Sequence, residues 1–221
     1  MTSRPGPATR IQTRRLLIRC WEPGERDARL LRRAIEESLE HLRAWMPWAR
    51  AEPESVEAKI ERMEGYADEF RRRGDYVYGI FPPDESAVLG GCGLHARVGT
   101  GARELGYWIH VQHVRRGYAT EMGAALTRVG FEVEGLERLE IRCDPRNGPS
   151  AGVPRKLDYV SREVLPDDTT DPDGKPRDTM VWELRAGDYG ASAAASHPVQ
   201  AFDARGRSLA LAPVPRAAKT G

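Results

Sequence analysis

ELGYWIHVQHVRRGYATE, residues 104–121, is the stretch on which the fold turns. A strand runs over Glu104–Ile109, a short turn follows, and a helix begins near Tyr118. The start of a helix leaves its first N–H groups without intrahelical partners, aimed outward along the positive end of the helix dipole. Small residues at Gly117 and Ala119 let a ligand approach that backbone closely. Arg115 and Arg116 add positive charge beside it. The physical product is a cradle for a pyrophosphate. The same string also fits a plain strand-to-helix turn, in which Gly117 serves backbone geometry alone.

Upstream, this strand is the third of three joined by turns, after Tyr76–Phe81 and Ala87–His95. Downstream, the helix runs over Tyr118–Glu134, with Met122, Ala125, Leu126, Val129 and Val133 on its inner face. Arg138–Cys143 alternates as a strand, Ser150–Leu157 is a short helix, and Tyr159–Val164 and Thr179–Leu184 close the sheet around a polar hairpin loop, DDTTDPDGKPRD. Nearer the N-terminus, Gln12–Trp21 is a first strand whose alternation Leu17 interrupts. A helical stretch carries Leu31, Ala34, Ile35, Leu39, Leu42 and Met46, and a second helix opens at Pro53. This order predicts an α/β (α+β) fold with a mixed, mostly antiparallel central sheet flanked by helices, and not a doubly wound one. Residues 1–9 are expected to be a flexible N-terminus. Residues 10–185 form the domain, and 186–221 an Ala/Gly/Pro-rich C-terminal tail with one weak strand near Val199–Phe202.

Composition narrows the function classes. Lys and Arg number 34 against 33 Asp and Glu, so no global field draws in nucleic acid or an anionic membrane. No basic stripe is interleaved with aromatics, and no GxGxxG follows the first strand. Cys20, Cys92 and Cys143 lie far apart with no CxxC and no metal-ligand spacing. No apolar run is long enough to span a bilayer, and the first residues carry no signal-peptide core. A cytoplasmic protein without nucleic-acid or membrane partners is expected.

Val114-Arg115-Arg116-Gly117-Tyr118-Ala119 resembles the acyl-CoA-binding motif Gln/Arg-x-x-Gly-x-Gly/Ala of the GNAT superfamily of N-acetyltransferases, with Val114 at the Gln/Arg position. TRRLLIRCWEPGERDA, GGCGLH, ELGYWI, RGYATE and CDPRNGPSAGVPRKLDYV are similar, in the same order, to the RimJ/RimL-like branch, which contains ribosomal-protein N-terminal acetyltransferases. Asp158 stands where that branch has Gly. The resemblance implies a GNAT domain over 10–185, acetyl-CoA as donor and no metal. It implies that the N–H groups of Arg115, Arg116, Gly117, Tyr118, Ala119 and Thr120 hold the pyrophosphate. Backbone at Ile109, His110 and Val111 would pair with the pantetheine arm. Asn147 would bond the pantetheine or nearby backbone, although a helix cap explains it equally well.

Direct attack of an amine on a thioester needs a base for the ammonium proton, a donor for the oxyanion and a proton for the departing thiolate. Ser150 matches the family's hydroxyl near that thiolate, and a helix-start role fits it equally. Glu104 is the candidate base, with His95 and His110 as rivals, and the N–H near Ile109 is the oxyanion donor. Trp48, Tyr78 and His95 are candidates for the acceptor side, while Trp45 is expected in the core. Three functions follow: acetylation of a protein N-terminal amine, acetylation of a small-molecule amine such as an antibiotic, polyamine or amino-acid derivative, and a non-catalytic acyl-CoA-binding module. A homodimer through the closing strands or the tail is compatible with each.

Overall fold

The computed structural model describes residues 7–171 and 173–211. The expected first strand is a hairpin, β1 (Arg10–Gln12) and β2 (Leu17–Cys20). Thr13 closes its turn, donating its N–H to the Leu16 carbonyl at 3.0 Å and accepting the Leu16 N–H on its hydroxyl at 3.1 Å. Arg14 and Arg15 sit exposed at the tip. Leu17 interrupts the alternation because β2 is covered on both faces: Leu16 and Ile18 join one core cluster and Leu17 the other.

α1 (Glu25–Arg43) and α2 (Val56–Arg71) supply the cluster on Leu17's side. α1 buries Ala28, Leu31, Ala34, Ile35 and Leu42, the expected apolar stripe. Its buried Asp27 accepts two bonds from Arg19, at 2.7 and 3.0 Å, which ties the helix to β2. α2 starts at Val56 and not at Pro53, because the Ser55 hydroxyl caps it by accepting the Ala58 N–H at 3.1 Å. Between the helices, a 3-10 turn at Pro47–Ala51 is followed by Glu52 and Glu54, both bound by the buried ammonium of Lys59.

β3 (Tyr76–Phe81), β4 (Gly90–His95) and β5 (Ala102–Ile109) form the expected antiparallel meander. α3 (Tyr118–Arg128) continues through a π turn to Val133 and returns to β6 (Arg138–Cys143), which pairs parallel with β5. Such a pair requires a crossover of this kind. α4 (Gly148–Lys156) then leads into β7 (Val160–Thr170) and β8 (Pro176–Arg185). These two strands are longer than expected, since pairing runs from Val160 with Glu183 out to Thr170 with Pro176. Most of the segment expected as a loop is therefore ladder. Its outer half is exposed on both faces, so no apolar alternation marked it.

Residues 186–211 correct the expectation of a flexible tail. α5 (Ala186–Tyr189), a 3-10 turn at Ala193–Ser196, β9 (Gln200–Phe202) and β10 (Ser208–Leu209) pack on the domain. β9 pairs with β1, giving one sheet in the order β10-β9-β1-β2-β3-β4-β5-β6-β8-β7. Tyr189, Ala194 and Ala201 are buried in the same cluster as α3 and α4. Asp158 explains its own departure from Gly: it adopts a left-handed φ of +61°, and its carboxylate accepts the Ala193 N–H at 2.8 Å. At the other end Ala8 is buried, and its carbonyl accepts the Tyr78 hydroxyl at 2.8 Å. Residues 1–6 and 212–221 of the two expected flexible ends lie outside the described residues.

Candidate active site

β5 keeps its pairing with β4 from Glu104 opposite His95 to Ile109 opposite Gly90. It pairs with β6 only from Ala102 to Glu104. Beyond Glu104 the parallel strands part, and the backbone of Leu105–Ile109 on that side has no strand beside it. Backbone groups at a splayed edge are suited to an extended, amide-bearing ligand. A cavity of about 870 Å³ opens at the splay, lined by residues from both faces of the sheet.

The turn at the start of α3 has the cradle geometry. Arg115 and Gly117 both adopt left-handed φ, +60° and +82°, and no side chain caps the helix. The first-turn N–H groups of Tyr118, Ala119 and Thr120 have no intrahelical partners. Val114, at the motif's Gln/Arg position, packs against the core, so it contributes no polar group to the turn. The hairpin tip delivers a cation instead: Arg15 donates to the Arg116 carbonyl at 3.0 Å and lies over the Tyr118 ring at 4.8 Å. Glu121 fixes it there, accepting from Arg15 Nε at 2.6 Å, the Arg15 N–H at 3.0 Å and the Thr13 hydroxyl at 2.7 Å. Burial pushes the Glu121 carboxyl up, but these hydrogen bonds and the Arg15 charge outweigh it and hold it below the usual carboxylate range.

The run Ile109–Val111 is less available than expected. The His110 N–H donates to the Leu89 carbonyl at 2.9 Å, and the Val111 N–H to the Ser38 hydroxyl at 3.1 Å. The buried His110 ring accepts the Gln112 N–H on Nδ1 and places Nε2 3.1 Å from Glu37. Its side chain anchors a turn to α1, which removes it as a base in the cleft.

Tyr107 and Trp108 leave β5 toward opposite faces. The Tyr107 hydroxyl lies 3.1 Å from Ser150 Oγ and 3.2 Å from the Ser150 carbonyl, which puts two hydroxyls together beside the splayed stretch of β5. Burial pushes the Tyr107 hydroxyl up, so it keeps its proton. Asn147 caps α4 by accepting the Ser150 N–H at 3.1 Å. Burial also raises the Cys143 thiol beside Ser150, the reverse of what a cysteine nucleophile needs.

On the α1–α2 side the cavity has a glycine floor. A Cβ on Gly91 would lie 2.6 Å from Trp108 Nε1, and a Cβ on Gly93 or Gly106 would lie 2.9 or 3.2 Å from His95 Nε2. The glycines let these two side chains lie flat on the sheet from either end. Trp45, Met46 and Trp48 wall the cavity, with Trp48 edge-on to Trp108 at 6.2 Å. Trp45 thus belongs to the cavity wall and not to the core as expected. Tyr78 lines the same cavity but is fully buried, with its hydroxyl on the Ala8 carbonyl. Glu104 lines the cavity, but Arg97 engages both its oxygens, at 2.6 and 2.7 Å, with Arg142 4.0 Å away. It faces a guanidinium and not an open approach. The β7–β8 ribbon reaches across the opening, where Arg177 donates to the Trp45 carbonyl and Arg50 to the Asp171 carbonyl, both at 3.0 Å.

Sequence reading missed Arg15, Glu121, Tyr107, Asp75 and Arg177. Glu121 ends the RGYATE string and Tyr107 sits inside ELGYWI, so both were in view without a role. The others depend on long-range contacts that no local pattern announces. Among the described residues, no cluster of three or more His, Cys, Asp or Glu side chains is placed to hold a metal ion. No described helix is long and apolar enough to cross a membrane.

Comparison with known proteins agrees with this geometry. The model of the acetyltransferase (GNAT) domain matches residues 15–160. The uncharacterized N-acetyltransferase YoaA of Bacillus subtilis is 28% identical over 132 residues, covering 59% of this chain and 74% of that protein. A putative ribosomal-protein-serine acetyltransferase from Vibrio cholerae superposes with a TM-score of 0.65 at 24% identity, over 82% of this chain and 99% of that one. Mycobacterium smegmatis RimJ, solved in complex with a CoA disulfide, superposes with a TM-score of 0.69 at 22% identity, over 81% and 86%. The RimJ/RimL-like expectation is thus met at the level of the fold, and the chain belongs to the GNAT family of acyl-CoA-dependent N-acetyltransferases.

Proposed function

We propose that this chain transfers an acetyl group from acetyl-CoA to a primary amine, with the α-amine of a protein N-terminus as the leading acceptor. The observations that support the reading lie along one stretch of chain: β5 parts from β6 beyond Glu104, Tyr107 on that free stretch brings its hydroxyl to Ser150, and the turn at 115–120 that follows β5 has left-handed backbone at Arg115 and Gly117, which gives a path along β5. Acetyl-CoA laid along that path brings its pyrophosphate to the α3 start and its sulfur toward the hydroxyls. Ser150, with Tyr107, then supplies the hydrogen bond or proton that the departing thiolate needs. The amine approaches from the glycine-floored side and attacks the thioester directly.

The N-terminal reading is supported by the folds it resembles and by the shape of the opening. The ribbon bonded to Trp45 and Arg50 bridges the slot, so an acceptor enters end-on, as a chain terminus does. The same bridge supports a second reading, a small-molecule amine held wholly inside the cavity. Thiol release from acetyl-CoA separates them, with seryl- and alanyl-initiated pentapeptides compared against phenethylamine and spermidine. Peptide turnover favours the first reading and small-amine turnover the second. Acetyl-CoA binding with no turnover on any probe leaves the non-catalytic module.

A further inference from the structure

One polar pair in the cleft is oriented as a proton relay. His95 Nδ1 lies 2.7 Å from Asp75 Oδ2, and Asp75 Oδ1 accepts the Ala96 N–H at 2.8 Å. Burial pushes the Asp75 carboxyl up, but the bonds from His95 and Ala96 and the nearby Arg97 charge hold it below the usual carboxylate range. An ionised Asp75 only accepts hydrogen bonds, so Nδ1 carries a hydrogen, and in the neutral imidazole the lone pair is on Nε2. Nε2 is the atom lying over Gly93 and Gly106, on the cavity floor. A Cβ at either glycine would intrude on it. The other charged groups facing this end of the cavity are already matched: Glu104 by Arg97, and Arg142 by Glu140 at 3.0 Å. Glu69, on α2, is bonded to Arg72 at 2.9 Å.

We propose that the acceptor amine sits on the glycine floor between His95 and Trp108, and that His95, oriented by Asp75, takes its proton. The inference rests on the acetyl-transfer reading and assigns the base within it. The incoming ammonium gives one proton to His95 Nε2. The freed nitrogen lone pair forms the C–N bond at the thioester carbonyl. When the C–S bond breaks, its electron pair leaves on sulfur. The nitrogen's second proton balances that thiolate as CoA thiol, with the Tyr107–Ser150 pair as the donor at sulfur. His95 returns its proton to solvent, so the products are acetyl amide, thiol and one released proton. His95 is thereby a catalytic residue, and Asp75 a positioning residue that acts through it.

The test is steady-state thiol release from acetyl-CoA with a seryl-initiated pentapeptide and with phenethylamine, alongside acetyl-CoA titration of each variant. His95→Gln is expected to lower kcat by about 100-fold or more, the usual scale for a lost general base, and to leave acetyl-CoA affinity unchanged. Free imidazole is expected to restore part of the rate of His95→Ala, which a merely structural role would not allow. Asp75→Asn is expected to lower kcat by about tenfold, through the tautomer it fails to hold. Parental kcat in His95→Gln overturns the dyad and leaves acetyl transfer standing. A parent that neither binds nor consumes acetyl-CoA overturns both.

Discussion

The proposed donor side and the proposed acceptor side of this cleft are made of different material. The cradle is backbone: left-handed turns at Arg115 and Gly117 and the first N–H groups of α3. The acceptor side is side chains collected from distant segments, with Asp75 and His95 20 residues apart and Trp45 and Arg177 132 apart. A backbone site tolerates exchanged side chains but not an added Cβ. A side-chain site behaves in the opposite way. Perturbations on the two sides should therefore separate into donor affinity and acceptor turnover.

The largest expected effect is at Gly117. A side chain there must adopt φ +82° with its Cβ 3.4 Å from Arg15, and a carboxylate would also face the phosphates. Gly117→Glu is expected to weaken acetyl-CoA by about 100-fold or more in isothermal titration. Normal binding would break the comparison at its donor end. Next, Ser150→Ala combined with Tyr107→Phe is expected to lower kcat by about 100-fold with acetyl-CoA affinity held within about twofold, read by stopped thiol release beside titration. Trp48→Ala should raise the acceptor KM by about tenfold, the loss typical of an aromatic anchor, without moving the donor constant. Its melting temperature should hardly change, since Trp48 is 39% exposed.

Glu121→Gln sharpens the donor side, because it loosens Arg15 while leaving the backbone of residues 115–120 in place. A several-fold loss of acetyl-CoA affinity is expected, about threefold to fivefold for weakened charge-assisted bonds. The smallest effect is one of pH and should spare neither side. Glu121 and Asp75 are held low against the opposing pull of burial, and Asp144 first by its bonds from Arg146. A carboxylate with a lowered folded value stabilises fully above its unfolded value and loses that contribution as pH falls toward the folded one. Thermal melting should be flat with respect to these groups down to about pH 5 and fall below about pH 4.

The same contrast explains what was legible in the sequence. Gly117, Ala119 and the α3 start lie within six consecutive residues, and a left-handed glycine before an apolar-periodic helix is a local signal. The meander and β6 followed from alternation and turn residues for the same reason. The β1–β2 hairpin was harder, because Thr13 turns the chain with one hydroxyl and Leu17 faces a second core. Residues 186–211 misled through composition: small alanines signal flexibility in a sequence, yet Ala194 packs into the cluster around α3. The acceptor side was legible only as types. His95 and Trp48 stood out, but Asp75 as the partner of His95, and Arg97 as the guanidinium occupying Glu104, are products of the folded sheet.

Hydrogen–deuterium exchange with and without acetyl-CoA tests most directly whether backbone holds the donor. Bound acetyl-CoA is expected to protect the amides of residues 115–120 and of the splayed edge at 105–109, and to leave those of residues 45–48 exchanging as before. Protection elsewhere, with residues 115–120 unchanged, would contradict a backbone cradle at the start of α3.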